Sequence, residues 1–364
     1  MVASWRGRDA VFSVGSVTLT VRRGSVDGRS IARALFDGPD ADVLSLLLDL
    51  AEDCAFAIPT LSWANEIWGD GPLAAPTLGS HVADANAGTR FVAAAGGAVE
   101  VLGGCLDAFV GGDEDPEHVH RMRVAIRRVR AAIATVSSNN ADVAATDDGL
   151  KTWAKALGPA RDWDVFALET LPPILEAFPK NRPMVRLAKA VADTRSGENA
   201  ALRTALRDPF YRQTMLRLAW LCGATAWLPT PTDSDEADTA GRRILPRRWK
   251  KLAAVLRIAD ELDTVGLHEM RLRAKRARYT MELFRSLGSA KDADRAIQRL
   301  TRLQDRLGAY NDLDTAARLL SAFGTRHGHA RGVVLGFLAA RALTMRPEIV
   351  RSSRKLRKAH KFWV

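Results

Sequence analysis

The feature that most limits what this chain can fold into is an internal repeat, because a unit stated twice folds twice and then packs against its own copy. The stretch His118–Val136, HVHRMRVAIRRVRAAIATV, returns as Leu267–Phe284, LHEMRLRAKRARYTMELF. Both read H-x-x-R-x-x-x-(R/K)-R-x-R, so that His120, Arg123, Arg127, Arg128 and Arg130 are matched by His268, Arg271, Lys275, Arg276 and Arg278. A second pair follows: LGPARDWD, Leu157 to Asp164, is answered by LGAYNDLD, Leu307 to Asp314. The offset between copies is nearly the same for both motifs, as diverged copies of one unit require.

At about 100° per residue on a helix, His120, Arg123, Arg127 and Arg130 fall within an arc of roughly 80°, with Arg121 and Arg128 to one side. Met122, Ile126, Val129 and Ile133 form the adjoining apolar stripe; the second copy sets His268, Arg271, Lys275 and Arg278 beside Met270, Ala274, Ala277 and Met281. Each basic row therefore borders a core. A single helix of this kind reads as a solvated amphipathic face. Like charges at i, i+3 and i, i+4 repel, however, and two copies holding that arrangement in one register point to an anion.

The two motif helices, each followed by an L-G-x-x-(R/N)-D-x-D segment, resemble the CHAD family, the conserved histidine α-helical domain, from about Ala85 to the C-terminus. The resemblance implies an all-α fold: a duplicated pair of antiparallel four-helix bundles with pseudo-twofold symmetry, whose basic surface binds inorganic polyphosphate. Packing about such an axis would set the two motif helices face to face and line one shared cleft with both basic rows.

A formal charge of +11 and a pI near 10 fit a polyanionic partner, without choosing among nucleic acid, polyphosphate and an acidic membrane surface. Hydrophobic residues make up 47% of the 364, ample for a buried core. Cys54, Cys105 and Cys222 have no paired spacing and read as reduced core residues. No sustained apolar run of transmembrane length occurs, so the expectation is a cytoplasmic protein with no membrane partner.

Read in order, Val11–Arg22 alternates like a hairpin strand and ends in the turn-like RRGSVDGRS. Asp42–Phe56 has helical spacing, and with Ile58–Trp68 it resembles the end of a CYTH domain, the triphosphate tunnel fold. Residues 1–80 are thus expected to form a small α+β segment. Only Glu52, Glu66 and Glu100 precede residue 101, so the E-x-E-x-K motif of that family is missing and the segment reads as an inactive remnant. Gly69–Gly88 marks a boundary. The helical domain spans 85–364, with a first half at 85–228, a mobile acidic linker at 229–241 and a second half at 242–364. Helices are expected over Thr89–Val110, Arg182–Arg207 and Pro209–Trp227. Ser137–Asp148 is expected to be a loop. Asp162 and Asp164 are placed at a new helix start, as caps; the alternative is that they orient an arginine.

A linear polyphosphate presents only charged oxygens, so its binder needs repeated N–H donors and no stacking platforms. The candidate binding residues are the ten of the two motifs, to which Lys151, Lys155 and Arg161 add from the helix after the first motif, and Arg247 and Lys251 from the basic run before the second. Histidine adds a donor that gains charge beside phosphate. Nucleic acid would use the same phosphate contacts, but base-reading patterns are missing. A metal-dependent phosphohydrolase would have to rest on His118-x-His120 or His327-x-His329. The expectation is a non-catalytic polyphosphate-binding module without cofactor or metal, with polyphosphate granules as a candidate location.

Overall fold

A computed structural model describes residues 5–26, 29–54, 87–134, 140–223 and 234–358. The N-terminal segment is an antiparallel meander of β1 (Trp5–Val14), β2 (Val17–Val26) and β3 (Arg29–Asp37) in the order β1-β2-β3. Gly15, at φ 57°, supplies the left-handed residue of the first turn. The alternation over Val11–Arg22 therefore covers two strands, and Arg22–Ser25 continues β2 where a turn was expected. The Arg22 guanidinium, 2.8 Å from Asp9 across the β1–β2 pair, gives these polar residues a cross-strand role. Helix α1 (Asp40–Asp53) follows and buries Leu44 and Ala51. It packs on a helix of the main domain, where Gln213 Nε2 donates to the Leu48 carbonyl at 3.2 Å. Ile58–Trp68 and nearly all of the Gly69–Gly88 boundary lie outside the described residues.

The rest is helical. In the first half, α2 (Ala87–Val110), α3 (Pro116–Ile133), α4 (Ala141–Val165) and α7 (Pro209–Gly223) enclose a core of Leu102, Phe109, Met122, Ile126, Trp153 and Leu218. In the second, α8 (Ser234–Arg257), α9 (Thr264–Leu283), α10 (Ala290–Leu320) and α11 (Gly328–Arg357) enclose Trp249, Met270, Met281, Phe284, Leu300 and Ile349. The short α5 (Pro172–Glu176) and the long α6 (Arg182–Ala205) complete the first half. Among the described residues no helix is long and apolar enough to cross a membrane.

A third core joins the halves. Trp163, Phe166, Leu171, Ile174, Met184 and Leu187 from the first interlock with Leu313, Ala316, Leu320, Ala330, Val334 and Leu338 from the second. Both α4 and α10 leave their own bundle partway along. Leu157 and Ala160 of α4 belong to the first core and Trp163 to the shared one; Leu307 and Tyr310 of α10 belong to the second core and Leu313 to the shared one. The duplicated Leu-Gly…Asp-x-Asp segment is thus where each helix crosses to the other half.

Three local expectations are corrected. Helix α4 begins at Ala141, because the Asn140 side chain accepts from the backbone N–H groups of Asp142 and Val143 at 2.7 and 3.2 Å; the assigned loop thus overran by two turns. The same helix runs through Pro159 to Val165 and one further π turn, held by the burial of Trp163 and Phe166, so Asp162 and Asp164 sit within a helix and cap nothing. Helix α8 starts at Ser234, which removes 234–241 from the linker. Gly241 is required where α8 meets the following helices, since a Cβ there would fall 2.6 Å from Phe284 and Leu287.

Candidate functional site: a basic seam between the halves

The site is fixed by how α3 and α9 are rotated. Asp115 caps α3 through the Glu117 N–H at 2.9 Å with Pro116 in the first turn, and Asp263 caps α9 through the Gly266 N–H at 2.8 Å. Val119, Met122, Ile126 and Val129 are fully buried on α3, as are Met270, Ala274 and Ala277 on α9. The residues that border these stripes, Arg123 and Arg127 on one helix and Arg271 and Lys275 on the other, are left half-buried. The two helices pack against each other, so these cations share one seam.

Their mutual fields cross it. Burial, chiefly, and then Arg127, Arg161 and Arg271 hold the Arg123 guanidinium below its usual range, against the pull of Asp162. Burial and Arg127 do the same to Arg271, against Asp312 and Asp162. Burial, Arg271, Arg127 and Arg123 bring the Lys275 ammonium down to about 7. Two carboxylates balance the group in part. Asp162 on α4 lies in the field of Arg123, Arg318, Arg271 and Arg161, and Asp312 on α10 in that of Arg271 and Arg161; burial nevertheless raises both. Asp162 therefore stands among arginines of both halves, the orienting role set against capping.

The protein leaves part of this cluster unsatisfied. The buried Nε atoms of Arg127 and Arg271 have no hydrogen-bond partner among the described residues. Among the described residues Arg123 Nη1 reaches only the Ala154 carbonyl, at 3.5 Å. Buried guanidinium donors without acceptors are costly, and an incoming anion with several oxygens would relieve that cost.

The other predicted residues are distributed unevenly. His120 is half-buried beside the seam, and burial followed by Arg161 lowers its pKa. His268 is exposed, with Nδ1 2.7 Å from Asn311 Oδ1, so an Nδ1–H donates to the amide oxygen as assigned. Arg161 pairs with Glu169 at 2.9 Å. The far ends of both rows are engaged: Arg130 forks onto Asp147 at 2.8 and 3.1 Å, and Arg278 binds Glu282 at 2.7 Å and Gln304 Oε1 at 3.0 Å. Arg128 is half-buried and acts on Glu282 of the other half, whereas Arg276 is exposed. Lys151, Lys155, Arg247 and Lys251 stand on exposed faces of α4 and α8, outside the half-buried cluster. Sequence reasoning passed over Asp312 and Arg318; the repeated Asp-x-Asp was the available signal for the first, and nothing in the sequence marks the second.

In each of the two histidine pairs one ring has a neighbour of its own. His118 Nε2 is 2.8 Å from Asp113, and His327 packs edge-on to Phe323 at 5.8 Å. Among the described residues no group of three or more His, Cys, Asp or Glu converges to hold a metal ion.

A family model for the CHAD domain matches residues 93–321. Among solved structures, the crystal structure of the CHAD domain from the plant Ricinus communis is 28% identical, covers 81% of this chain and 99% of its own, and superposes with a TM-score of 0.65. PptA from Streptomyces chartreusis is 14% identical over 70% of this chain and 99% of its own, at a TM-score of 0.49. A search of curated proteins finds no match. With its duplicated motif helices, its joined helical halves and a family match over well more than half its length, this chain belongs to the CHAD family.

Proposed function

We propose that this protein binds inorganic polyphosphate along the α3–α9 seam as a non-catalytic module. The observation that carries the reading is the convergence of Arg123, Arg127, Arg271 and Lys275 from both halves, with the Nε donors of Arg127 and Arg271 buried and unpartnered among the described residues. A polymer of phosphates supplies closely spaced acceptors along its length, so one chain can meet donors set a helix turn apart, about 5.4 Å. Charge-assisted bonds of this kind contribute about 1.5–3 kcal/mol each. The wider surface, +11 overall, draws the polyanion in. On this reading the protein accumulates on polyphosphate granules.

The test is direct binding of polyphosphate of graded length, with duplex DNA as competitor at moderate salt and phosphate release followed with Mg²⁺ or Mn²⁺. The reading expects tighter binding to longer chains, weak competition by DNA and no release. Stronger binding to DNA, or release that depends on His120, would replace it.

A further inference from the structure

A second basic surface lies away from the seam, on the outer face of α11. Ile349, Ser353 and Leu356 turn inward and are fully buried, and Ser353 Oγ sits 3.8 Å from the Met270 sulfur in the second core. The opposite face borders an open groove of about 600 Å³ where α11 passes the connection between α8 and α9. Arg346, Arg351, Arg354, Lys355 and Lys358 line it, and Asp260 is its single acid among the described residues.

Two of the five cations are tied to that connection: Arg346 donates to the Leu262 carbonyl at 2.5 Å, and Arg354 reaches Asp260 at 3.3 Å. Arg351, Lys355 and Lys358 have no hydrogen bond or ion pair among the described residues. The helix dipole favours cations in a final turn, which accounts for Arg354, Lys355 and Arg357. It does not reach Arg346 or Arg351. Like charges at i, i+3 and i, i+4, here Arg351–Arg354, Arg351–Lys355 and Arg354–Lys358, are unfavourable without a counter-charge. Among the described residues no aromatic side chain lines the groove, which therefore offers phosphate contacts in place of base stacking.

We propose that the α11 groove is a second phosphate-binding site, which takes a distant stretch of the same polymer chain held at the seam. This rests on the polyphosphate reading of the seam and extends it. The two places share no lining residue. A long chain engaging both gains an effective-concentration advantage that a short one lacks, so length preference becomes a property of the seam and the groove together.

Calorimetric titration of the full chain with a polyphosphate too short to reach both places separates the possibilities. The expectation is two sites in the native protein, one after Arg351→Glu with Lys355→Glu, and one after Arg123→Glu with Arg271→Glu. Long-chain affinity should fall at least tenfold in the α11 variant. These residues are exposed, and unchanged circular dichroism confirms that the variant folds; Arg351→Gln with Lys355→Gln should give an intermediate loss. One native site, abolished at the seam and untouched by the α11 variant, overturns the groove and leaves the seam reading standing. One native site abolished only by the α11 variant overturns the seam instead. Phosphatidylserine vesicles that bind through Arg351 and Lys355 without displacement by polyphosphate would assign the groove to a lipid surface and sink the proposal.

Discussion

The two halves of this protein carry the same motif and use it differently away from the seam. Arg123 and Arg271 stand in equivalent positions, each balanced by the equivalent aspartate, Asp162 or Asp312, and each felt by the other half. Two residues further along the same segment the copies part. Asp164 is fully buried and accepts from Arg195 Nε at 2.6 Å, whereas Asp314 is half-exposed and pairs with Arg318 of its own helix at 3.3 Å. His120 faces Arg161, where His268 meets Asn311. The closing helices differ as well, α6 and α7 in the first half against the single α11 in the second. Charges that act on both halves have kept their register, and those with only local neighbours have found new partners.

The largest expected contrast is in stability. Asp164→Ala strands the partly exposed Arg195 and should cost about 1.5–3 kcal/mol, the range for a hydrogen bond to a charged group. Asp314→Ala should cost about 1 kcal/mol or less. Urea denaturation of both variants checks this, and equal losses would break the comparison.

Next comes Lys275, the lysine facing Arg127. Its folded pKa, about 7, lies below its ordinary value of 10.5. The unfolded chain therefore holds the extra proton across that interval, and stability of the free protein rises with pH from about 7 towards 10.5, by at most about 1.4 kcal/mol per unit. Lys275→Met should remove that rise; Arg127→Met, which takes away one of the charges that depress the lysine, should only shrink it. A bound polyanion raises the same pKa, so affinity is full below about pH 7 and falls above it as binding must take up a proton. Lys275→Met should flatten that fall, measured by titration across the range.

The smallest effects belong to the histidines. Because burial and Arg161 depress His120, its contribution to binding appears at acid pH and fades as pH rises. His120→Gln should weaken binding severalfold near pH 5.5 and hardly at pH 8. His268→Ala removes the contact to Asn311, worth about 1 kcal/mol. A flat affinity for the native protein over this range would remove both the lysine and the histidine from the account.

The duplication made the seam legible, since Arg123, Arg127, Arg271 and Lys275 could be read from register alone. Local punctuation misled elsewhere. Gly158-Pro159 looks like a helix stop, and the burial of Trp163 and Phe166 in the shared core carries α4 past it. The acidic run before Arg242 looks like a linker, yet the chain is already helical from Ser234. The engagement of Arg130 and Arg278 could not be seen because Asp147 and Gln304 come from other helices, and periodicity within one helix says nothing of its neighbours.

The claim that both halves build one site is tested most directly by the affinity for long-chain polyphosphate of Arg123→Glu and Arg271→Glu, each alone. Each reversal should weaken binding about tenfold or more and reduce its salt slope, with helical content unchanged by circular dichroism. If either reversal leaves the affinity of the native protein, the polymer lies on one half only and the shared seam is wrong.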